Sequence, residues 1–117
     1  MSLSYRDLLV WQKSIELVEE IYSLVKLLPK EETYALSDQM RRAAVSVPSN
    51  IAEGKNRAFI KEYIHFLSIA KGSCAELETQ LIICNRLNYL SEEETNQAMI
   101  LCGEVSRMLQ GLITKLK

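Results

Sequence analysis

The sequence predicts an all-α protein, an antiparallel up-down-up-down four-helix bundle that forms one domain over residues 1–117. Apolar residues recur at steps of three and four along four segments, which is the spacing of amphipathic helices. The connections between these segments are roughly three to six residues long, and short connections place successive helices antiparallel. With 48% hydrophobic and 25% charged residues, but only four Gly and two Pro, the composition is that of a globular helical chain.

The first predicted helix covers residues 7–28. Asp7 can cap its N-terminus, because a carboxylate accepts hydrogen bonds from the free N–H groups of the first turn. Pro29 stops the helix, since the residue before a proline resists the helical conformation. Two adjacent apolar rows make a stripe wider than a coiled-coil seam. One row is Leu8, Trp11, Ile15, Val18, Tyr22 and Val25, and the other is Val10, Leu17, Ile21, Leu24 and Leu28.

The second predicted helix begins with Thr33 as its cap and ends at Gly54, which can adopt the left-handed conformation common at helix ends. Its apolar period continues through Pro48. We therefore predict one helix kinked at Pro48 instead of two helices. A proline leaves a backbone carbonyl one turn earlier without its N–H partner, and the hydroxyl of Ser46 or Ser49 is available to help solvate or bond the freed groups.

The third predicted helix, residues 58–87, carries an unbroken apolar row over three heptads, which is typical of near-antiparallel packing at about 20°. Gly72 lies inside this helix among other small residues, so a neighbouring backbone can approach closely there. The bend at Pro48 is the candidate neighbour. The apolar row consists of Tyr63, Leu67, Ala70, Cys74, Leu77, Leu81 and Cys84.

The fourth predicted helix begins at a capping box, in which Ser91 accepts from the amide of Glu94 and the Glu94 carboxylate accepts from the amide of Ser91. Lys115 and Lys117 favour the C-terminal end of the helix dipole. This helix carries apolar residues beyond its main row, and together with the wide stripe of the first helix they indicate a surface for self-association. The additional residues are Ile100, Leu101, Val105 and Leu112.

Charge and cysteine content restrict the function classes. The net charge is −1, from 14 basic and 15 acidic residues, whereas a freestanding nucleic-acid binder usually has a basic excess. This composition allows a local basic patch and no more. Three cysteines without CxxC spacing, beside a single histidine, disfavour a disulfide framework or zinc site and predict core residues in a reducing compartment. No segment approaches the ~20 apolar residues that span a bilayer, so we expect a soluble, cytoplasmic protein.

No combination of residues points to catalysis, and we expect a non-enzymatic protein without cofactor, metal or small-molecule substrate. His65 lies off the apolar row of the third helix and is predicted at the surface. Glu62 and His65 match the Glu-x-x-His motif of di-iron bundles once. That motif must occur on two helices, and the chain has only one histidine.

The adjacent residues Arg41 and Arg42 allow two interpretations. Successive helical residues point about 100° apart, so the two side chains cannot share a face. In the first interpretation, one arginine forms an ion pair across the helix pair and the other is solvated; the candidate partners are Glu53, Glu62, Glu76 and Glu78. In the second, a phosphate-binding strip surrounds the turn between the second and third helices. That strip comprises Arg41 or Arg42 with Lys55, Arg57 and Lys61.

Several motifs carry a resemblance to a known family. The most specific are QxRRA over residues 39–43 and PxNIAEG over residues 48–54, and further blocks at residues 9–13, 62–73 and 76–81 extend the match over nearly the whole chain. On these residues the chain resembles the bacterial four-helix bundle protein family, whose members include proteins encoded by intervening sequences in 23S ribosomal RNA genes. That family is similar to the accessory protein of diversity-generating retroelements, a fivefold barrel that presents basic surface to nucleic acid and reverse transcriptase.

The resemblance implies a homo-oligomer, a pentamer, that associates with RNA or DNA or with a nucleic-acid enzyme. Its motif residues fall mostly on predicted buried or interhelical positions, which favours a role in folding over one in catalysis. We therefore expect an oligomeric binding or assembly module. The alternative is a purely structural or protein–protein interaction oligomer that binds no nucleic acid, and the sequence leaves both open.

Overall fold

A computed structural model describes residues 4–117, which form four long helices. They are α1 (Leu9–Val25), α2 (Leu36–Lys55), α3 (Ile60–Arg86) and α4 (Glu92–Leu116). Helix α1 packs against α2 and α4, and α3 packs against the same two helices. The predicted all-α, four-helix architecture is therefore confirmed. The predicted domain also contains residues 1–3, which lie outside the described residues.

Side-chain contacts between neighbouring helices reverse in order along the sequence. Residue numbers rise along one helix as they fall along its neighbour, which is the order that antiparallel packing produces. The contacts are Met40–Cys84 and Ser46–Ser73 between α2 and α3, and Lys71–Gln110 and Asn85–Thr95 between α3 and α4. The Cα trace is elongated as a result, with extents of 47 × 24 × 19 Å.

All four helices contribute to one apolar core. The second predicted row of α1 is buried in it, whereas Trp11, Ile15 and Val18 of the first row are only partly buried and Tyr22 is exposed. The three cysteines are core residues, as predicted. Burial raises the pKa of Cys74 and of Cys102 to about 12, so both thiols stay protonated at neutral pH. The large side chains at the centre include Leu17, Ile21, Met40, Ile51, Leu67, Leu77, Leu81 and Leu109.

The core buries most of the additional apolar residues that were predicted on α4. Leu101 and Val105 are buried, and Leu112 is partly buried. Of the four additional residues only Ile100 is largely exposed, at 45%. The apolar side chains that remain exposed are spread over the helices, with Leu9 and Tyr22 on α1 and Ile60, Ile69, Ile82 and Ile83 on α3.

The N-terminal ends of α1 and α2 differ from the prediction. Asp7 belongs to a short 3-10 turn before α1, where it completes a capping box with Ser4, so it does not cap α1. A second 3-10 turn, Lys30–Glu32, follows Pro29, and α2 begins only after Ala35. Thr33 is therefore not the cap of α2. The predicted capping box at the start of α4 is confirmed, with both hydrogen bonds present.

Gly54 does not end α2 in a left-handed conformation. It lies inside the helix, which continues to Lys55, and no described glycine has a positive φ. A Cβ atom at position 54 would lie 2.8 Å from the Cβ of Phe66 and 3.2 Å from the carbonyl oxygen of Tyr63. Two carbon atoms that are not bonded to each other do not approach to 2.8 Å. Glycine is therefore required here because α3 packs closely against it, and not because of its backbone conformation.

The expected approach of Pro48 to Gly72 is wrong. Gly72 is exposed, and a Cβ atom there would meet nothing within 4 Å. Pro48 instead faces α1, where it lines a groove with Trp11 and Val18. The proline lies within one continuous helix, as predicted; the kink and the up-down-up-down path of the chain stay predictions.

Ser46 joins α2 to α3. Its hydroxyl lies 2.9 Å from the hydroxyl of Ser73. Asn50 Nδ2 donates both to that Ser46 hydroxyl, at 2.9 Å, and to the Ser46 carbonyl, at 2.8 Å. Ser46 thus makes a polar contact between two helices. None of these three hydrogen bonds involves the carbonyl that Pro48 leaves without its N–H partner.

Candidate nucleic-acid interface

The five residues predicted to contact nucleic acid separate into two groups. Arg41 and Arg42 lie in the first half of α2, whereas Lys55, Arg57 and Lys61 surround the connection between α2 and α3. Fourteen positions separate Arg41 from Lys55 in the sequence, which corresponds to about 21 Å along a helix. The structure therefore brings three of the five residues to one place and leaves the arginine pair elsewhere.

The arginine pair makes contacts within its own part of the fold. Arg42 Nε lies 3.0 Å from Asp38 Oδ2, one turn earlier on α2, and the Arg42 side chain is 80% exposed. Arg41 donates from Nη2 to the carbonyl of Thr33 at 3.2 Å, so it ties α2 to the connection before it. An ion pair is present, as the first interpretation expected, but its partner is Asp38 and not a glutamate across the helix pair.

The connection between α2 and α3 is held together by the contact at Gly54. Because glycine lets α3 approach there, Tyr63 and Phe66 pack against the end of α2. Each aromatic ring then receives a cation: Lys55 Nζ lies 6.0 Å from the Tyr63 ring centre, and the Arg57 guanidinium carbon lies 4.8 Å from that of Phe66. These are cation–π distances, so the rings fix the positions of both basic side chains.

An open cleft lies beside these contacts. Arg57, Lys61, Glu62, His65 and Phe66 line it, and its volume is about 420 Å³. His65 is exposed, as predicted, and its ring meets the Phe66 ring edge to face at 5.7 Å. The cleft therefore combines two basic side chains, one carboxylate and two flat rings.

Phe59 lies next to this cleft in the sequence and is a residue that sequence reasoning missed. It immediately precedes α3 and is 67% exposed. The signal was present, because Phe59 stands between Arg57 and Lys61 in the segment RAFIK, and aromatic residues interleaved with basic ones are typical of single-strand binding surfaces.

The charges of the chain are unequally divided between the two ends of the bundle. One end, which we call the basic end, comprises residues 4–8, 53–62 and 114–117, with six basic and three acidic side chains. The other, the acidic end, comprises residues 26–35 and 86–95, with three basic and five acidic side chains. The net charge of the whole chain is near zero because one positive end and one negative end offset each other.

An apolar groove runs between α1 and α2 on the outside of the bundle. It has a volume of about 310 Å³, and the residues of α1 in it belong to the apolar row that the core buries only in part. Its lining consists of Tyr5, Trp11, Ile15, Val18, Val45, Pro48, Ser49 and Ala52. Val45, on the α2 side, is 41% exposed.

Over residues 4–117, no helix combines the length and the apolar character needed to cross a membrane. Within the same residues, no three His, Cys, Asp or Glu side chains are grouped so that they could hold a metal ion.

The model of the family described as 23S rRNA-intervening sequence protein matches residues 6–111. The chain belongs to this family. The match includes both arginines of the pair and all three basic residues of the α2–α3 connection. The family predicted from the sequence motifs is therefore confirmed, and every candidate residue lies inside the part of the chain that defines membership.

A solved structure supports the same assignment. This member of the 23S rRNA-intervening sequence protein family is similar to a crystal structure from Bacteroides thetaiotaomicron VPI-5482, described as a protein of unknown function from the S23 ribosomal protein family. The two share 27% identity with a TM-score of 0.83, and the alignment covers 90% of this chain and 98% of the other. A comparison with curated proteins finds no match.

Proposed function

We propose that the protein is a non-enzymatic binding module that contacts RNA or DNA through its basic end. The observation that carries this proposal is the convergence of Lys55, Arg57 and Lys61 around the α2–α3 connection, beside exposed aromatic side chains. The name of the family, which refers to intervening sequences of 23S rRNA, supports a nucleic-acid partner. A nucleic-acid enzyme that itself carries RNA or DNA would fit the same surface.

The net charge of −1 does not argue against binding at one end. Exposed charges are largely screened beyond one Debye length, which is about 8 Å at physiological ionic strength. Helix α3, with 27 residues, is about 40 Å long, and it separates the α2–α3 connection of the basic end from the α3–α4 connection of the acidic end. A phosphate approaching the basic end therefore meets the local positive charge almost undiminished.

The carboxylates at the basic end reduce its charge but leave the cations accessible. Glu53 lies 3.3 Å from Arg57, in an exposed pair one turn apart. Such pairs contribute only about 0.3–0.5 kcal/mol, so a phosphate can replace Glu53 as the partner of Arg57 at little cost. The modest excess of positive charge predicts weak binding that depends strongly on salt.

A salt titration tests the proposal directly. Binding of labelled RNA and DNA to the full chain is measured by fluorescence anisotropy from low to physiological salt. We expect the logarithm of the affinity to fall linearly with the logarithm of salt concentration, because each neutralised phosphate releases about 0.7–0.9 of a counterion. If neither RNA nor DNA binds even at the lowest salt, direct nucleic-acid binding is ruled out.

We propose, as a second and separable function, that the chain self-associates through the apolar groove between α1 and α2. The half-exposed row on α1 supports this, since exposed apolar patches of this kind mark interaction surfaces, and the family resemblance implies a pentamer. Mass measurement in solution tests it. We expect Val45→Glu to shift the chain to smaller species and Ile82→Glu, at a somewhat more exposed position of α3 (48% against 41%), to leave its mass unchanged. A monomer at every concentration would contradict self-association.

A further inference from the structure

We propose that the cleft lined by Arg57, Lys61, Glu62, His65 and Phe66 holds one unpaired nucleotide of a single strand, with Phe59 stacking on an adjacent base. This inference rests on the proposed function and adds the form of nucleic acid that the basic end selects. A surface that binds a duplex needs cations that reach the phosphates. Exposed aromatic rings on such a surface would find no base face to contact. Here the rings and the cations occur together.

The dimensions of the cleft fit a nucleotide. Its volume of about 420 Å³ lies within the roughly 300–1,000 Å³ typical of small-molecule pockets. In a duplex the base faces are stacked inside and cannot enter such a cleft, whereas the bases of a single strand can turn outward and stack on protein rings. The aromatic side chains therefore favour the single strand.

Each side chain of the cleft has a matching part of the nucleotide. Lys61, a flexible point charge, suits the phosphate, and the planar guanidinium of Arg57 suits either a phosphate or the face of a base. The packing of Arg57 over Phe66, at 4.8 Å, holds that guanidinium beside the cleft. Phe59 is the most exposed ring of the group described here, at 67%, and it stands between these two cations in the sequence.

Glu62 distinguishes a nucleotide from a bare phosphate. A carboxylate repels phosphate, yet it accepts hydrogen bonds from base N–H groups and from the ribose 2′-hydroxyl. If only phosphates enter the cleft, Glu62→Gln removes a repulsion and tightens binding. If a base or ribose lies in the cleft, the substitution removes a charged acceptor, and binding does not tighten. The affinity of the Glu62→Gln variant therefore distinguishes this cleft from a general electrostatic surface, for which the same substitution would tighten binding.

The experiment compares a labelled oligouridylate with an RNA duplex of the same length, at low salt, by fluorescence anisotropy. We expect the single strand to bind more tightly, and Phe59→Ala to weaken its binding about tenfold, since a tenfold change corresponds to about 1.4 kcal/mol, the size of one base–aromatic stack. Phe59→Leu should weaken it similarly because stacking needs a ring, and Phe59→Trp should preserve it. Duplex binding should not change in any of these variants. Thermal melts monitored by circular dichroism establish that each variant is folded.

The outcomes separate this inference from the function on which it rests. If the duplex binds as tightly as the single strand and Phe59→Ala has no effect, the single-strand cleft is overturned while nucleic-acid binding stands. Tighter binding by Glu62→Gln would also overturn it, because the cleft would then receive phosphate alone. If neither nucleic acid binds, both proposals fail.

Discussion

The two ends of the bundle are closed by different chemistry. At the acidic end, hydrogen bonds join the connections: Tyr89 donates to Glu32 Oε2 at 2.8 Å, and Asn85 Nδ2 donates to the Leu90 carbonyl at 3.0 Å and to Thr95 Oγ1 at 3.1 Å. At the basic end, the close contact at Gly54 and two cation–π contacts hold the α2–α3 connection.

This difference decides which end is free to bind. At the acidic end the Tyr89 hydroxyl is bonded to Glu32 and the Asn85 amide to Thr95, so these polar groups are used within the fold. At the basic end Lys55 and Arg57 lie on rings, Arg57 also pairs with Glu53 in an exposed contact, and Phe59 and Ile60 are exposed. The two ends should therefore differ in packing, in binding, in pH dependence and in the strength of their ion pairs.

The largest effect is expected from Gly54→Ala at the basic end. The new Cβ would lie 2.8 Å from the Phe66 Cβ, which is a fixed atom, so α2 and α3 must separate. Overpacking of this kind costs about 1–3 kcal/mol, measured as a lower free energy of unfolding in urea. Gly72→Ala is the matched control. It meets nothing within 4 Å and should stabilise the chain by up to about 1 kcal/mol; a destabilised Gly72→Ala variant would contradict the placement of that residue.

Charge reversal should affect nucleic-acid binding at one end only. The double variant Lys55→Glu/Lys61→Glu replaces two attractions with two repulsions, and we expect the affinity at low salt to fall at least about tenfold, with a shallower salt dependence. The control, Lys26→Glu/Lys30→Glu, makes the same change in net charge at the acidic end. An equal loss of affinity in both variants would show that net charge, and not the basic end, governs binding.

Tyr89→Phe tests the hydrogen bond that closes the acidic end. The bond to Glu32 is the main cause that raises the pKa of Tyr89 above its ordinary value, which is about 10. Because the folded-state pKa is raised, the stabilisation is complete below the unfolded value and is lost as pH rises through the folded value. We expect the wild type to melt above Tyr89→Phe at neutral pH and the difference to shrink in strongly alkaline solution. A difference in Tm that is constant with pH would contradict this role.

The smallest effect concerns the arginine pair. Arg42→Ala removes an exposed ion pair with Asp38 on the same helix, and pairs of this type contribute about 0.3–0.5 kcal/mol. We expect a small decrease in the free energy of unfolding and unchanged affinity for nucleic acid. A marked loss of affinity would place Arg42 in a second binding site, far from the α2–α3 connection.

Helix identity followed from the sequence because it depends on local periodicity, and the capping box at Ser91 could be predicted because it is a local pattern; the two apolar rows of α1 were predicted, but not which of them the core buries. The caps of α1 and α2 could not be predicted, since Asp7 lies in a short 3-10 turn before α1 and Thr33 is the C-cap of another 3-10 turn before α2. The close approach of a neighbouring helix was predicted at Gly72 but is found at Gly54, and this error has a different cause. Sequence shows where a close approach is allowed, but only packing shows that α3 meets Gly54 and leaves Gly72 in the open.

The candidate site was predictable only in part. Lys55, Arg57 and Lys61 are close in sequence, so a turn keeps them together whatever the rest of the fold does. The pairing of Arg42 with Asp38 follows the four-residue helical spacing and could have been inferred. The exposure of Phe59 could not, because a ring at the start of a helix is buried or free according to what neighbouring helices cover.

The contact of Ser46 with Ser73 and Asn50 has a consequence for alignment. Apolar surfaces of two helices can fit in several registers one turn apart, with similar gains from burial. A polar side chain in such an interface finds its partner in one register and is left without a hydrogen bond in the others, much as a buried asparagine fixes the alignment of a coiled coil. The bond from Asn50 to Ser46 lies within α2, so it is the Ser46–Ser73 contact that favours one position of α2 along α3, and with it the placement of Gly54 against Phe66.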